Sequence, residues 1–384
     1  MPEHATQQQP PGLYYGWKVV AGLMIVLTFA SGLSFYNHAI YLNALATQQG
    51  FSVSTASLAV SVFFLSSGVA GLLVGKWVQE FDVRLSFTVG AILCFLALSC
   101  LALVTELWQL LLLYTVFGAG FAASALLPAT TLITRWFRRR RAMALSVAST
   151  GLSLGGVIVT PFSVYLVENF GFRTAAPVMG LMYLIGVIPV SWLYLKPEPA
   201  TLGLRIDGGW LTAEDSQQQS QGAAKAHGEQ GVSLRQARSG KLFWGISLAY
   251  VFLLLAQVGG IAHQYGLARE LLSEAQTALA VAILPVASII GRLIGGYLVE
   301  QMSIRRFAIA MIVTQVTSLL LLASGVSVWT LCLGLFMLGT SVGNLLMLQP
   351  LLLAEAFGVR DYARIFSISN LMSSWGTAAG PALM

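Results

Sequence analysis

Charge is scarce in this 384-residue chain. Asp, Glu, Lys and Arg make up 9% of it, against about 25% in a soluble domain. With 57% hydrophobic residues and a mean hydropathy of +0.77, that shortage excludes a soluble globular domain. It implies an all-α polytopic membrane protein, in which each span satisfies its own backbone. Cysteine is nearly missing too: Cys94, Cys100 and Cys332 all sit inside apolar runs, which excludes a disulfide framework. No nucleotide-binding loop of the Gly-x-x-x-x-Gly-Lys-Ser/Thr type occurs, so ATP-driven transport is not expected, and neither enzyme chemistry, a cofactor nor a metal is suggested. The stretch Met1 to Leu13 is polar, and no small-residue cleavage site follows the first apolar run, so no cleavable signal peptide is expected. Acids are missing where they would matter most. All fifteen Asp and Glu fall at or beyond the ends of the apolar runs.

What is present is a series of eleven apolar runs of helical length. A cytoplasmic tail (1–16) is followed by six runs within 17–196. A linker (197–240) rich in Gln, Gly and Ser then leads to five runs within 241–384. Within the linker, Ser233–Arg238 suits a short amphipathic turn on the inner surface. With the N-terminus in the cytoplasm, eighteen of the twenty-one Lys and Arg fall on inner segments and only Arg173 and Arg269 on outer ones. The positive-inside rule therefore predicts a multi-pass protein of the cell (inner or plasma) membrane with a cytoplasmic N-terminus. The basic cluster Arg138–Arg141 anchors topology against anionic lipid rather than nucleic acid.

The remaining cation is Arg292, inside the run Ile283–Leu298. It lies eight residues before Glu300, about 12 Å along a helix. Burying a charge there costs roughly 2.5 kcal/mol or more. With no acid at depth, its partner is a substrate anion, helix carbonyls or water. Other polar groups at depth are Tyr36, Asn37 and Tyr41 on the first run, Tyr114 on the fourth, Gln264 and Tyr265 on the seventh, Asn344 and Gln349 on the tenth and Asn370 on the eleventh. Such groups either meet substrate or staple helices. His38 and His263 lie near the outer ends of corresponding runs, and histidine alone loads and releases protons near neutrality, so both are candidates for proton coupling. Ile289, Ile290 and Leu293 are the expected apolar contacts of the substrate.

The two halves repeat. Gly75, Gln79, Glu80, Asp82 and Arg84 after the second run match Gly296, Glu300, Gln301, Ser303 and Arg305 after the eighth, and Arg135 with Gly151 and Gly155 matches Arg360 with Gly376 and Gly380. Two copies in the same order imply a parallel pseudo-repeat around a central site. By that logic a twelfth span is missing, and the chain reads as a fragment or a truncated product.

The glycine–acid–arginine pattern resembles the loop signature of the major facilitator superfamily, Gly-x-x-x-Asp-Arg-x-Gly-x-Arg. Gln79, Glu80 and Asp82 stand where the family has Asp, Arg and Gly, as do Glu300, Gln301 and Ser303 in the second copy. The resemblance implies two six-helix bundles and an inner gate built on Gly75, Gln79, Arg84, Glu300 and Arg305. The run Trp136–Gly151 is similar to the fifth-span signature of the monocarboxylate transporter family. Tyr15-Gly16-Trp17 resembles the Gly-Trp motif that precedes that family's first span. Gly291-Arg292 resembles its eighth-span Ala-Arg, whose arginine binds the substrate carboxylate. Where that family's animal members carry a coupling Asp, this chain has Ser288. Where the related oxalate/formate antiporters carry a second cation, the stretch Asn370–Gly376 has none. One cation favours a singly charged carboxylate.

The expectation is a monomeric secondary transporter that moves a small monocarboxylate such as lactate or pyruvate, with a proton, by alternating access. Arg292 binds the carboxylate, with Tyr36, Asn37, Tyr114, Asn344 and Asn370 around it. The alternatives are an organic-anion exchanger or drug exporter, and a non-transporting sensor on the same fold.

Overall fold

The computed structural model describes residues 14–208, 231–325 and 327–383. The first thirteen residues of the tail and the linker's glutamine-rich run Ser216–Gln221 lie outside them. Among the described residues eleven long helices form, numbered here α1 Gly16–Gln48, α2 Ser54–Glu80, α3 Val83–Leu101, α4 Leu107–Trp136, α5 Arg141–Phe170, α6 Phe172–Tyr194, α7 Lys241–Leu271, α8 Glu274–Gln301, α9 Ile304–Ser324, α10 Val328–Phe357 and α11 Tyr362–Leu383. The first ten are long and apolar enough to cross a membrane; α11 has the length but is rich in Ser and Gly.

Three helices are broken where the sequence dictates it. In α4 the break is at Ala125, because the ring of Pro128 cannot tolerate the carbonyl four residues earlier and offers no N–H to it. In α1 and α5 single π-helical turns, Ser31–Tyr36 and Gly155–Val159, face one another. A Cβ on Gly32 would stand 2.8 Å from the Gly155 carbonyl oxygen, so the two backbones meet only because neither residue has a side chain. The turns displace Tyr36 and Gly156 toward the centre of the molecule, where both line the same cavity.

Helices α1–α6 and α7–α11 form two bundles, with α1 on α5, α2 on α4 and α3 on α6 in the first, and α7 on α11 and α8 on α10 in the second. Two seams join the bundles, α2 against α11 and α5 against α8. The sequence repeat pairs α2 with α8 and α5 with α11, so the seams are equivalents of one another. Each is lined by small residues. Gly75 sits against Ala363 and Ser367, and Gly296 against Ser146, the close approach that drives helix association in lipid. Large apolar side chains such as Leu73, Leu193, Leu279 and Leu320 face outward, as a hydrocarbon surround requires.

The linker is fastened at both described ends. Asp207 accepts from the backbone N–H groups of Arg138 and Arg139 at 3.0 and 2.9 Å, and Asp361 accepts from that of Leu234 at 2.8 Å. The expected turn forms as the helix Leu234–Ser239, capped by Ser233 and Gln236.

The seams give a direct contrast. At Gly75 an added Cβ would stand 2.7 Å from the Ala363 carbonyl oxygen, whereas at Gly71 it meets only Leu127, at 3.8 Å. Gly75→Ala is expected to destabilise the protein by about 1–3 kcal/mol through forced separation of α2 from α11. Gly71→Ala is expected to be neutral or slightly stabilising, as measured by thermal unfolding in detergent.

Candidate functional site

The end of the molecule that carries the N-terminus and linker, called inner here, is tied shut between the bundles. Arg364 on α11 donates to Glu80 on α2 at 2.7 Å, Gln79 donates to the Arg360 carbonyl at 3.4 Å, and Glu300 accepts from the Met143 N–H at 3.4 Å. Among the predicted gate residues, Gly75, Gln79 and Glu300 therefore bridge bundles. Arg84 instead pairs within its own loop with Asp82 and lies 4.7 Å from the Trp192 ring. Burial raises the Asp82 carboxyl, but the hydrogen bonds and charge of Arg84 outweigh it and hold the group below its ordinary value. That contribution to stability is present above the unfolded-state value and is lost as pH falls through the folded one. Arg305 starts α9 and is exposed.

Above this closed end, the space between the bundles opens into a cavity of about 480 Å³. Its walls differ. The first bundle contributes Phe35, Tyr36, Phe64 and Phe121, and the second contributes Gln257, Gln264, Arg292, Asn370, Ser374 and Thr377 along with aliphatic side chains. The cavity occupies the middle and the outer half of the molecule, since α8 contributes Val281 to Arg292 and α11 contributes Asn370 to Thr377.

Arg292 is at the base of this cavity and is 1% exposed. Its Nε donates to the Gly343 carbonyl on α10 at 2.8 Å, and its Nη1 donates to the Ser149 carbonyl on α5. Among the described residues no hydrogen bond runs from Nη2. Glu300, the nearest acid along α8, faces Met143 instead. The guanidinium thus spans the α5–α8 seam, joined there by Ser153 and Ser288, whose hydroxyls are 3.1 Å apart. Carbonyl dipoles satisfy donors but carry no net charge, so the cation has no counter-ion among the described residues.

The structure brings Arg292, Tyr36 and Asn370 together on the cavity wall and leaves the other predicted contacts outside it. Asn344 donates to the Gly291 and Thr340 carbonyls, each at 2.9 Å, and so ties α10 to α8 directly beside Arg292. Asn37 donates to Ser163 at 2.7 Å within the first bundle. Tyr114 stacks on His38 with ring centroids 6.0 Å apart. His38 is enclosed by Phe63, Phe64, Tyr114 and Phe117, and neither of its nitrogens has a hydrogen-bond partner. His263 is exposed on α7, next to the cavity-lining Gln264.

Ile290 and Leu293, expected as apolar contacts of the substrate, are 44% and 42% exposed on the outside of α8, and Ile289 does not line the cavity. Each step along a helix turns about 100°, so neighbours of Arg292 in sequence point away from it. Leu254, Ile261 and Leu346 supply the aliphatic lining instead. Sequence reasoning missed Gln257, although its spacing of seven from Gln264 on an apolar helix is a legible signal of one shared face.

A family model described as the Major Facilitator Superfamily matches residues 24–381. The chain belongs to the Major Facilitator Superfamily. Solved members of this fold superpose along nearly its whole length. The proton:xylose symporter XylE bound to 6-bromo-6-deoxy-D-glucose is 13% identical with a TM-score of 0.70, covering 96% of this chain and 87% of that one. The human organic anion transporter MFSD10 (TETRAN) is 14% identical with a TM-score of 0.67, covering 98% and 93%. At these identities the likeness is one of fold. Among curated proteins, the MFS-type transporter opdF of Penicillium oxalicum is 22% identical over 84% of this chain and 70% of its own length. An MFS-type transporter of Gibberella moniliformis is 26% identical over 51% of this chain and 46% of its own length. The chain spans about half the length of most of the curated relatives it matches. Membership in this superfamily, together with ten helices among the described residues that are long and apolar enough to cross a membrane, makes this a multi-pass membrane protein.

The inner closure can be weighed. Glu80 and Arg364 are 44% and 35% exposed at their side chains, so solvent screens the pair. A double-mutant cycle with Glu80→Gln and Arg364→Gln is expected to give a coupling of about 0.2–1 kcal/mol in thermal unfolding; zero coupling would show that this pair does not contribute to closing the inner end.

Proposed function

We propose that the protein is a secondary active transporter of an organic monocarboxylate, captured at Arg292 and carried by alternating access between the two bundles. The observation that carries this reading is a fully buried guanidinium on the wall of a central cavity, with no carboxylate of its own to pair with. A planar fork of donors matches a carboxylate bidentately, and an entering anion supplies the missing negative charge. Binding draws the guanidinium from the Ser149 carbonyl of the opposite bundle, and that exchange couples occupancy to the seam that must open. The site takes one negative charge, since among the described residues Arg292 is the single cation lining the cavity.

The cavity volume favours a substrate larger than lactate or pyruvate. About 480 Å³ falls within the ~300–1,000 Å³ range of sites for drug-sized ligands, and three phenylalanines make up much of one wall. Within the proposal, the larger organic anion is therefore the better supported of the two readings. The relative described as a fujikurins efflux protein and the organic anion transporter among the structural neighbours are consistent with it.

Proton coupling belongs to the same proposal. His263 is the better carrier of the two histidines, because it is exposed, although not on the cavity wall, while His38 is closed in by aromatic rings. Orientation with the inner end in the cytoplasm follows from the distribution of Lys and Arg.

Transport is measured as counterflow of a labelled aryl or alkyl monocarboxylate in proteoliposomes. Arg292→Ala is expected to abolish flux, and Arg292→Lys to lower it by about 10-fold or more through loss of the bidentate geometry; undiminished flux in Arg292→Ala would remove the site. His263→Gln is expected to flatten the dependence of uptake on an imposed proton gradient, and an unaltered dependence would rule out its role.

A further inference from the structure

The polar wall of the cavity carries an unused hydrogen-bonding group whose position restricts the substrate. Gln257 on α7 is 2% exposed, lines the cavity, and its Oε1 has no hydrogen-bond partner. Leaving a buried amide oxygen unmade costs as much as a lost hydrogen bond, and here the oxygen faces a space large enough for a ligand. Seven residues on, Gln264 repeats the arrangement nearer the mouth, again with a partnerless Oε1.

Depth fixes what Gln257 can meet. Helices α7 and α8 are joined at their outer ends by Leu272 and Ser273. At 1.5 Å per residue, Gln257 is about 21 Å below that junction and Arg292 about 27 Å below it. The Cα of Gln257 is therefore about 6 Å closer to the mouth than that of Arg292, a difference comparable to the length of one aromatic ring. Across from both stand Phe35, Phe64 and Phe121 from the first bundle, whose faces and edges suit another planar ring. The cavity thus offers a cation at its base, an apolar aromatic wall on one side, and, on a residue set nearer the mouth, an unpaired acceptor on the other.

We infer that the site selects a hydroxylated aryl carboxylic acid, with the carboxylate on Arg292, the ring against the phenylalanine wall and the hydroxyl donating to Gln257 Oε1. The inference rests on the assignment of Arg292 as the carboxylate site. An acid lacking the hydroxyl leaves Gln257 as unpaired as before, and it also excludes any water that could serve it. A site built around a hydrogen bond discriminates against such an analogue more strongly than an apolar pocket discriminates against a missing methylene.

The test is calorimetric titration of the purified full chain with four probes: para-hydroxyphenylacetate, phenylacetate and the corresponding two amides. The wild-type protein is expected to bind para-hydroxyphenylacetate about 10-fold more tightly than phenylacetate. Gln257→Met, which keeps the length of the side chain and removes its acceptor, is expected to bring that ratio close to one, with phenylacetate bound at least as tightly as by the wild-type protein. A wild-type ratio near one, a ratio that persists in Gln257→Met, or no binding of either acid would overturn the inference, and the wild-type ratio decides even if the variant fails to fold. The amides separate this from the underlying assignment. If para-hydroxyphenylacetamide binds as tightly as its acid, Arg292 is not a carboxylate site, while the effect of the hydroxyl still reports on Gln257.

Discussion

A buried positive charge organises this membrane protein. Arg292 cannot give up its proton, it lies deep between the two bundles, and among the described residues no acid pairs with it. Two carbonyls, one from each bundle, satisfy donors and hold the guanidinium across the α5–α8 seam. The arrangement satisfies donors yet leaves an electrostatic demand that an anion can meet. In the transport cycle we propose, the same group joins the two bundles and recognises the cargo, and it cannot do both to the full at once.

The remainder of the architecture makes that competition effective. Glycines at equivalent positions of the two seams let helices from different bundles touch, so a small displacement at Arg292 bears directly on an interface with little side-chain bulk to absorb it. Asn344 fixes α8 to α10 beside the guanidinium, which keeps the second bundle rigid while the first releases. The weak, half-exposed ion pair at the inner end suits a contact that must break in every cycle. Asymmetry enters through the repeat itself: the position equivalent to Arg292 in the first half is Gly71, which lines the same cavity with open space beside it. One half supplies the charge and the polar wall, and the other supplies aromatic surface and room.

Much of this was legible in the sequence, for physical reasons that differ by residue. Shortage of charge and the length of the apolar runs dictate the helices, and the loop repeat dictates two like bundles. Arg292 stands out because a charge in hydrocarbon needs an explanation. Polar residues were harder to place. Asn37, Tyr114 and Asn344 are indistinguishable in sequence from cavity-facing groups, because stapling helices and contacting substrate demand the same chemistry. Which way each points depends on helix rotation, and in α1, α4 and α5 rotation is reset by the breaks at Ser31–Tyr36, Ala125 and Gly155–Val159. The error at Ile290 and Leu293 has a simpler origin, since adjacency in sequence is not adjacency on a helix face. At Gln257 the seven-residue spacing from Gln264 marks a shared helix face, but not that this face lines a cavity rather than a neighbouring helix.

The central claim is that Arg292 exchanges a helix carbonyl for a substrate carboxylate. A structure of the full chain at side-chain resolution with para-hydroxyphenylacetate bound tests it most directly. The account predicts the carboxylate within hydrogen-bonding distance of two guanidinium nitrogens, with the bond to the Ser149 carbonyl broken. A guanidinium still seated on both the Ser149 and Gly343 carbonyls, with the acid bound elsewhere in the cavity, would contradict it.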